Sequence, residues 1–185
     1  MTTPAEVLDF WFAGDLSARR TEWFQKSDAF DAECARFAAA RDQAKAGAFD
    51  DWAETPEGVL ALLILLDQLS RNLFRGSAEA FAADAKALGI ARAAVAKGFD
   101  QALTPVGRMF VYLPFEHSES LTDQDESVRL FEALKDDLGE LTVDYAHRHR
   151  DVIATYGRFP HRNAALGRVN TPAEEAYLAQ PGAGF

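Results

Sequence analysis

Three short stretches of this chain concentrate side chains that bind anions and move protons. The first is Asp67-Gln68-Leu69-Ser70-Arg71-Asn72-Leu73-Phe74-Arg75. At about 100° per residue, Asp67, Gln68, Arg71, Asn72 and Arg75 fall within one helical sector about 140° wide, while Leu69 and Leu73 point away. The second is Leu113-Pro114-Phe115-Glu116-His117-Ser118-Glu119, and the third is Tyr156-Gly157-Arg158-Phe159-Pro160-His161-Arg162-Asn163 with Gly167-Arg168 behind it. From Val152 to Ala173 there is no Asp or Glu, although Arg158, His161, Arg162 and Arg168 all lie there. Cations grouped in this way need acids from elsewhere in the fold, or a bound anion, to offset them.

The chemistry such groups could do is limited. Arg71, Arg75, Arg158, Arg162 and Arg168 are bidentate donors suited to a carboxylate or a phosphorylated metabolite. Gln68, Asn72, Asn163 and Glu116 would orient that ligand. His117 or His161 would carry a proton near neutral pH, with Glu119 as partner. No serine or cysteine has the surroundings of an activated nucleophile. Each stretch also has a plainer meaning: an Asp67–Arg71 ion pair on a solvated helix face, His117 capping a neighbouring helix, and a solvated basic loop. His149, on the helix before the loop, is placed to face the same way, and His147 to face solvent.

Metal chemistry is not expected. His117 and Glu119 echo the His-x-Glu of zinc deaminases, but no Pro-Cys-x-x-Cys accompanies them. No Glu-x-x-His or His-Glu-x-x-His pair occurs, and Cys34 is the only cysteine, so neither a disulfide nor a multi-cysteine zinc site can form within the chain. No cofactor motif is present, and none is expected to be bound.

The elements that must position these groups are helices. Thr3-Pro4-Ala5-Glu6 and Thr171-Pro172-Ala173-Glu174 each place threonine at an N-cap, proline at the first helical position and glutamate where a capping box needs it. Thr55-Pro56 and Thr104-Pro105 start two more helices, Thr122 with Asp125 another, and Ser77 a sixth. The predicted helices run over 4–12, 28–46, 56–75, 78–97, 105–112, 122–138, 142–156 and 172–179, with Gly98 and Gly157 just past two of the ends. Val59 to Leu66 is apolar on every side and must run through the centre of the fold. Pro114 is expected to end its helix, leaving Glu116 to Glu119 on a connection. Phe159 is the expected anchor of the basic loop. No segment alternates well enough to be a strand, so the fold class is all-α, helix packed on helix, with residues 1–185 as one domain.

The three motifs, in this order, together with Val7-Leu8-Asp9-Phe10-Trp11-Phe12 and Thr171-Pro172-Ala173-Glu174-Glu175, resemble the bacterial family known as domain of unknown function 924. The resemblance spans nearly the whole chain. It departs at Ser70, where similar sequences often carry proline. It implies an all-helical fold similar to tetratricopeptide-repeat proteins, a bundle or solenoid of antiparallel helix pairs, and it supplies no reaction.

Composition sets the outer bounds. The chain has 185 residues, 48% hydrophobic and 26% charged, as in an ordinary globular protein. Its formal net charge of −10 repels phosphate backbones, so nucleic acid is not an expected partner. The longest apolar run is far short of the roughly 20 residues a membrane span needs, and the N-terminus shows no signal peptide. A cytoplasmic protein is the expectation, and nothing in the sequence sets an oligomeric state. Three functional readings follow. The first is a site for a small anionic ligand with acid/base catalysis as an extension; the second is a helical interaction module for an acidic peptide or C-terminal carboxylate. The third is a buried ion-pair network, Arg71, Arg75 and Arg158 against Asp67, Glu116 and Glu119, that specifies how helices dock. The first two require Arg71, His117 and Arg162 to meet.

Overall fold

A computed structural model describes residues 2–184. Among them there is no strand. Helix α1 spans Pro4–Phe12, α2 Asp28–Cys34, α3 Ala38–Lys45, α4 Pro56–Leu63, α5 Leu69–Leu73 and α6 Asp84–Lys97. They are followed by α7 Pro105–Glu116, α8 Leu121–Glu132, α9 Lys135–Leu138, α10 Glu140–Tyr156 and α11 Pro172–Leu178. Helix α4 lies against α1, α6 and α7, and α8 packs between α7 and α10.

The starts follow the sequence closely. Thr3 with Glu6 and Thr171 with Glu174 form complete capping boxes, and the hydroxyls of Thr55 and Thr104 accept from Gly58 N and Gly107 N. Gly98 and Gly157 close α6 and α10 at φ 72° and 70°, where a side chain would be strained. Ser77 departs from expectation: its hydroxyl donates to Phe74 O, and a short 3-10 turn, Ala78–Phe81, precedes α6. The start expected at Thr122 falls at Leu121. The segments predicted as 28–46 and 122–138 are each interrupted, the first by a 3-10 turn over Ala35–Phe37 and the second between α8 and α9.

Two departures bear on the site. The helix predicted over 56–75 carries a π-helical turn, Ile64–Gln68, between α4 and α5. Such turns insert an extra residue and redirect the side chains around it, and this one holds Asp67 and Gln68. The second is at Pro114, which does not end α7: the helix continues to Glu116, and His117 N donates to Leu113 O at 2.9 Å. The proline removes one donor, but Leu113 and Phe115 are both buried. The Gln124 side-chain amide from α8 donates to Glu116 O at 2.6 Å and Ser118 O at 2.7 Å, satisfying carbonyls left over at the helix end. Glu116 therefore sits on a helix, and the connection begins at His117.

The core runs from α1 through α10, with Leu60, Leu62, Ile64, Leu65 and Leu66 fully buried. Trp11, Trp23 and Phe110 form its aromatic end; the Trp23 and Phe110 rings meet edge to face at 4.9 Å. A smaller cluster of Val152, Ile153 and Phe159 anchors the loop after α10, as the sequence predicts for Phe159.

One glycine tests this packing. Glycine inside a helix ordinarily costs about 0.5–1 kcal/mol relative to alanine. At Gly58 in α4, however, a Cβ would stand 2.1 Å from Trp52 O. Gly58→Ala is expected to destabilise the protein by about 1–3 kcal/mol, the range of an overpacked core, measured by urea unfolding. A gain in stability would show that α4 does not abut Trp52.

Candidate functional site

Six segments deliver polar groups to one place. The π turn brings Asp67 and α5 brings Arg71; α6 opens with Asp84; α7 ends with Glu116, and His117 follows it; α10 contributes His149; the loop behind it supplies His161 and Arg162. Asp67 is only 1% exposed, yet its environment holds it ionised. Burial would raise its pKa, but Arg71 and His117 outweigh burial and keep it well below the usual carboxylate range. Its Oδ1 lies 2.9 Å from Arg71 Nη1 and 2.8 Å from His117 Nδ1, and Gln68 Nε2 donates to Oδ2 at 2.6 Å.

With Asp67 ionised, His117 Nδ1 carries the hydrogen and donates it. Burial and the nearby Arg71 guanidinium lower the His117 pKa, which favours the neutral ring. Among the described residues nothing bonds Nε2, and the side chain keeps 14% exposure. The imidazole thus presents an oriented basic nitrogen to the outside of the cluster.

The two arginines share one acid. Arg71 Nη1 and Nη2 each reach an Asp84 oxygen at 3.1 Å, and Arg162 Nη1 reaches Oδ2 at 3.3 Å. The Arg162 guanidinium lies 4.5 Å from the Phe159 ring centre and 4.7 Å from that of Phe81. Burial and Arg71 lower its pKa to about 10, still a cation at neutral pH. Its Nε is buried without a hydrogen-bond partner among the described residues.

Glu116 is 5% exposed. Among the described residues its carboxyl makes no hydrogen bond, and His149 Nδ1 stands 3.4 Å from Oε1 while donating to Tyr145 O at 2.8 Å. Burial, reinforced by the Asp67 charge, raises Glu116 to about 8, so it holds its proton at neutral pH. Burial pushes His149 down to about 3; burial and Arg162 push His161 to about 4, leaving both neutral and weakly basic. One cluster therefore contains a protonated acid, a neutral oriented imidazole and two guanidinium groups. That combination can bind an anion and transfer a proton.

The remaining sequence candidates lie outside this cluster. Asn72 and Arg75 turn toward α2, where Arg75 Nε reaches Asp31 Oδ2 at 2.6 Å and Asn72 Nδ2 reaches Oδ1 at 2.7 Å. Arg158 forks onto Glu174 at 2.6 and 2.8 Å, joining the loop to α11. The Arg158 bonds, then those from Thr171, hold Glu174 down at about 2. Glu119 accepts from Arg168 at 2.7 and 2.9 Å and from Phe159 N at 2.8 Å. Asn163 accepts from Arg168 Nε and donates to Asn170. These contacts brace the loop that carries His161 and Arg162. Of the ion-pair network expected as the third reading, only Arg71–Asp67 forms as expected; Arg75 pairs with Asp31 and Arg158 with Glu174, Glu119 takes Arg168, and among the described residues Glu116 pairs with no arginine. His147 is exposed, as expected. Among the described residues no trio of His, Cys, Asp or Glu is arranged to hold a metal ion, and no helix is long and apolar enough to cross a membrane.

Residues 7–182 match the family described as Bacterial protein of unknown function (DUF924). The chain belongs to this family. It is also similar to a solved structure from Agrobacterium tumefaciens, described as a protein of unknown function, ATU0120: 40% identity, 95% of this chain and 96% of that one covered, TM-score 0.85. No curated protein matches.

For this DUF924 member the group missed by sequence reasoning is Asp84, with the Phe81 shelf beside it. Asp84 stands among alanines as the first residue of α6, where an acid needs no more explanation than the helix dipole. Its two arginines lie 13 and 78 residues away, and no local pattern connects them.

Glu116 yields a pH prediction. Folded, it keeps its proton to about pH 8; unfolded, it loses it near 4.5. Between those values the folded state binds the extra proton, so the contribution of this group to stability falls as pH rises. Glu116→Gln cannot ionise. From pH 5 to 8 the wild type should lose stability relative to Glu116→Gln by up to about 1.4 kcal/mol per unit, read from thermal unfolding. Identical pH profiles would show that Glu116 ionises normally in the fold.

Proposed function

We propose that this protein binds a small anionic metabolite beside His117, held by Arg71 and Arg162, and acts on it by general acid/base proton transfer. The observation that carries the reading is the Asp67–His117 pair at 2.8 Å, with Nε2 making no hydrogen bond among the described residues, in the cluster that also holds Arg71 and, through Asp84, Arg162. A carboxylate fixing Nδ1–H while Nε2 faces outward is the arrangement a general base needs. Glu116, protonated at neutral pH, is the complementary acid. Buried polar atoms seldom go unpaired, and Arg162 Nε, within the same cluster, supports a ligand there. The free, buried Cys34 suits a reducing compartment, so we assign the activity to the cytoplasm.

A second reading is an interaction module of the tetratricopeptide-repeat kind that takes an acidic peptide or its C-terminal carboxylate. Leu166 and Val169, exposed near Arg168, favour it. A labelled glutamate-rich peptide that binds while simple anions do not would select this reading.

The test uses acetate, malonate and inorganic phosphate in thermal unfolding. At least one should raise the Tm of the wild type saturably. Arg162→Met, which keeps an apolar stem between Phe81 and Phe159 while removing the charge, should abolish the rise. Nitrogen NMR should find His117 as the Nδ1–H tautomer at neutral pH, titrating below its ordinary range. Equal protection of the wild type and Arg162→Met, or an Nε2–H tautomer, sinks the proposal.

A further inference from the structure

Asp84 occupies the place where the anion of the proposed function would bind, and this inference rests on that reading. Charge-assisted hydrogen bonds in proteins usually measure about 2.7–2.9 Å. Arg75, Arg158 and Arg168 each hold a carboxylate with at least one bond of 2.6–2.7 Å. The three bonds to Asp84 measure 3.1, 3.1 and 3.3 Å, so two guanidinium groups hold this carboxylate more loosely than one holds each of the others.

Neither arginine depends on Asp84 for its position. Arg71 also donates to Asp67 O at 2.8 Å and pairs with Asp67 Oδ1 at 2.9 Å. Arg162 is fixed between the Phe81 and Phe159 rings, its side chain 7% exposed. Its unpartnered Nε is a donor that the Asp84 carboxylate leaves unused. Asp84 itself is 20% exposed on its side chain, against 1% for Asp67. As the first residue of α6 it can rotate toward solvent and stay near the positive end of its own helix.

We propose that Asp84 is a resident stand-in for the carboxylate of the ligand, which enters by exchanging its own planar carboxylate for that of Asp84 between Arg71 and Arg162. The exchange conserves the charge of the cluster: two arginines remain balanced by Asp67 and one further carboxylate. It also makes ligand selection geometric, because the site is preformed around a flat, two-oxygen anion and favours it over a tetrahedral phosphate. In the unliganded protein the same contact prevents the buried Arg162 and the partly buried Arg71 from facing each other uncompensated.

The experiment measures acetate and inorganic phosphate binding to the wild type, Asp84→Ala and Asp84→Asn by calorimetry, with folding checked by circular dichroism. Asp84→Ala should bind acetate at least ten-fold more tightly than the wild type and more tightly than it binds phosphate, and acetate should restore the Tm lost by the substitution. Asp84→Asn, which keeps the shape and one acceptor, should gain less and carries the test if the alanine variant does not fold. In the wild type, the Asp84 Cγ resonance, assigned by its loss in Asp84→Asn, should move to a solvent-exposed value as acetate saturates. Equal acetate affinity in wild type and variants, a Cγ resonance unmoved at saturation, or preference for phosphate overturns the exchange. Protection by anions that still depends on Arg162 would leave the proposed function standing in each of those cases.

Discussion

A carboxylate that stays ionised inside a helical core constrains everything around it. Asp67 is 1% exposed on a rod in which the eight residues before it, Val59 to Leu66, are all apolar. An isolated charge there would carry a penalty of several kcal/mol, so the fold must bring compensating donors to it. Arg71 comes from the next turn of the same rod, Gln68 from the adjacent residue, and His117 from fifty residues further along the chain. Only the last is a tertiary commitment. It requires α7 to run past Pro114 so that its C-terminal end meets the π turn.

The same requirement propagates outward. Arg71 extends past Asp67 to Asp84, and Asp84 reaches Arg162. Arg162 lies on a loop secured by Glu119, Arg168 and the buried Phe159. Most of the arginine-rich third motif therefore fixes the placement of a single guanidinium. Buried ion pairs are weak contributors to net stability but expensive to break one partner at a time, which makes such a chain of pairs better at specifying geometry than at adding free energy. The plain reading of these arginines, as docking pairs, describes Arg75, Arg158 and Arg168. Arg71 and Arg162 differ because the acid between them is loosely held.

Electrostatics then separates the roles within the cluster. Burial raises a carboxyl and lowers an imidazole, so Glu116 rises past the ordinary imidazole value while His117 falls below it, and both are uncharged at neutral pH. The acid and the base arise from one environment acting on two side chains of different charge type. His149 is held down by burial to about 3, despite its bond to the Tyr145 carbonyl, and does not titrate in that range.

The amino-acid sequence by itself determined the all-helical class, most helix starts, the buried rod at Val59 to Leu66 and the anchoring role of Phe159. Each follows from local rules: threonine-proline caps, glycine ends and hydrophobic periodicity act over a few residues. It also singled out Gln68, Arg71, Glu116, His117, His161 and Arg162, because polar groups inside apolar patterns stand out without a structure. Only the tertiary structure decided which polar groups meet. The stripe over 67–75 divides between two neighbours, with Asp67 and Arg71 facing α6 and α7 and Asn72 and Arg75 facing α2, since residues on one helical face still fan out over different elements. The π turn and the continuation through Pro114 were equally hidden, because each is a local irregularity offset by distant packing. Asp84 was invisible for the same reason: its partners are set by how helices dock, and a lone acid at a helix start carries no mark of them.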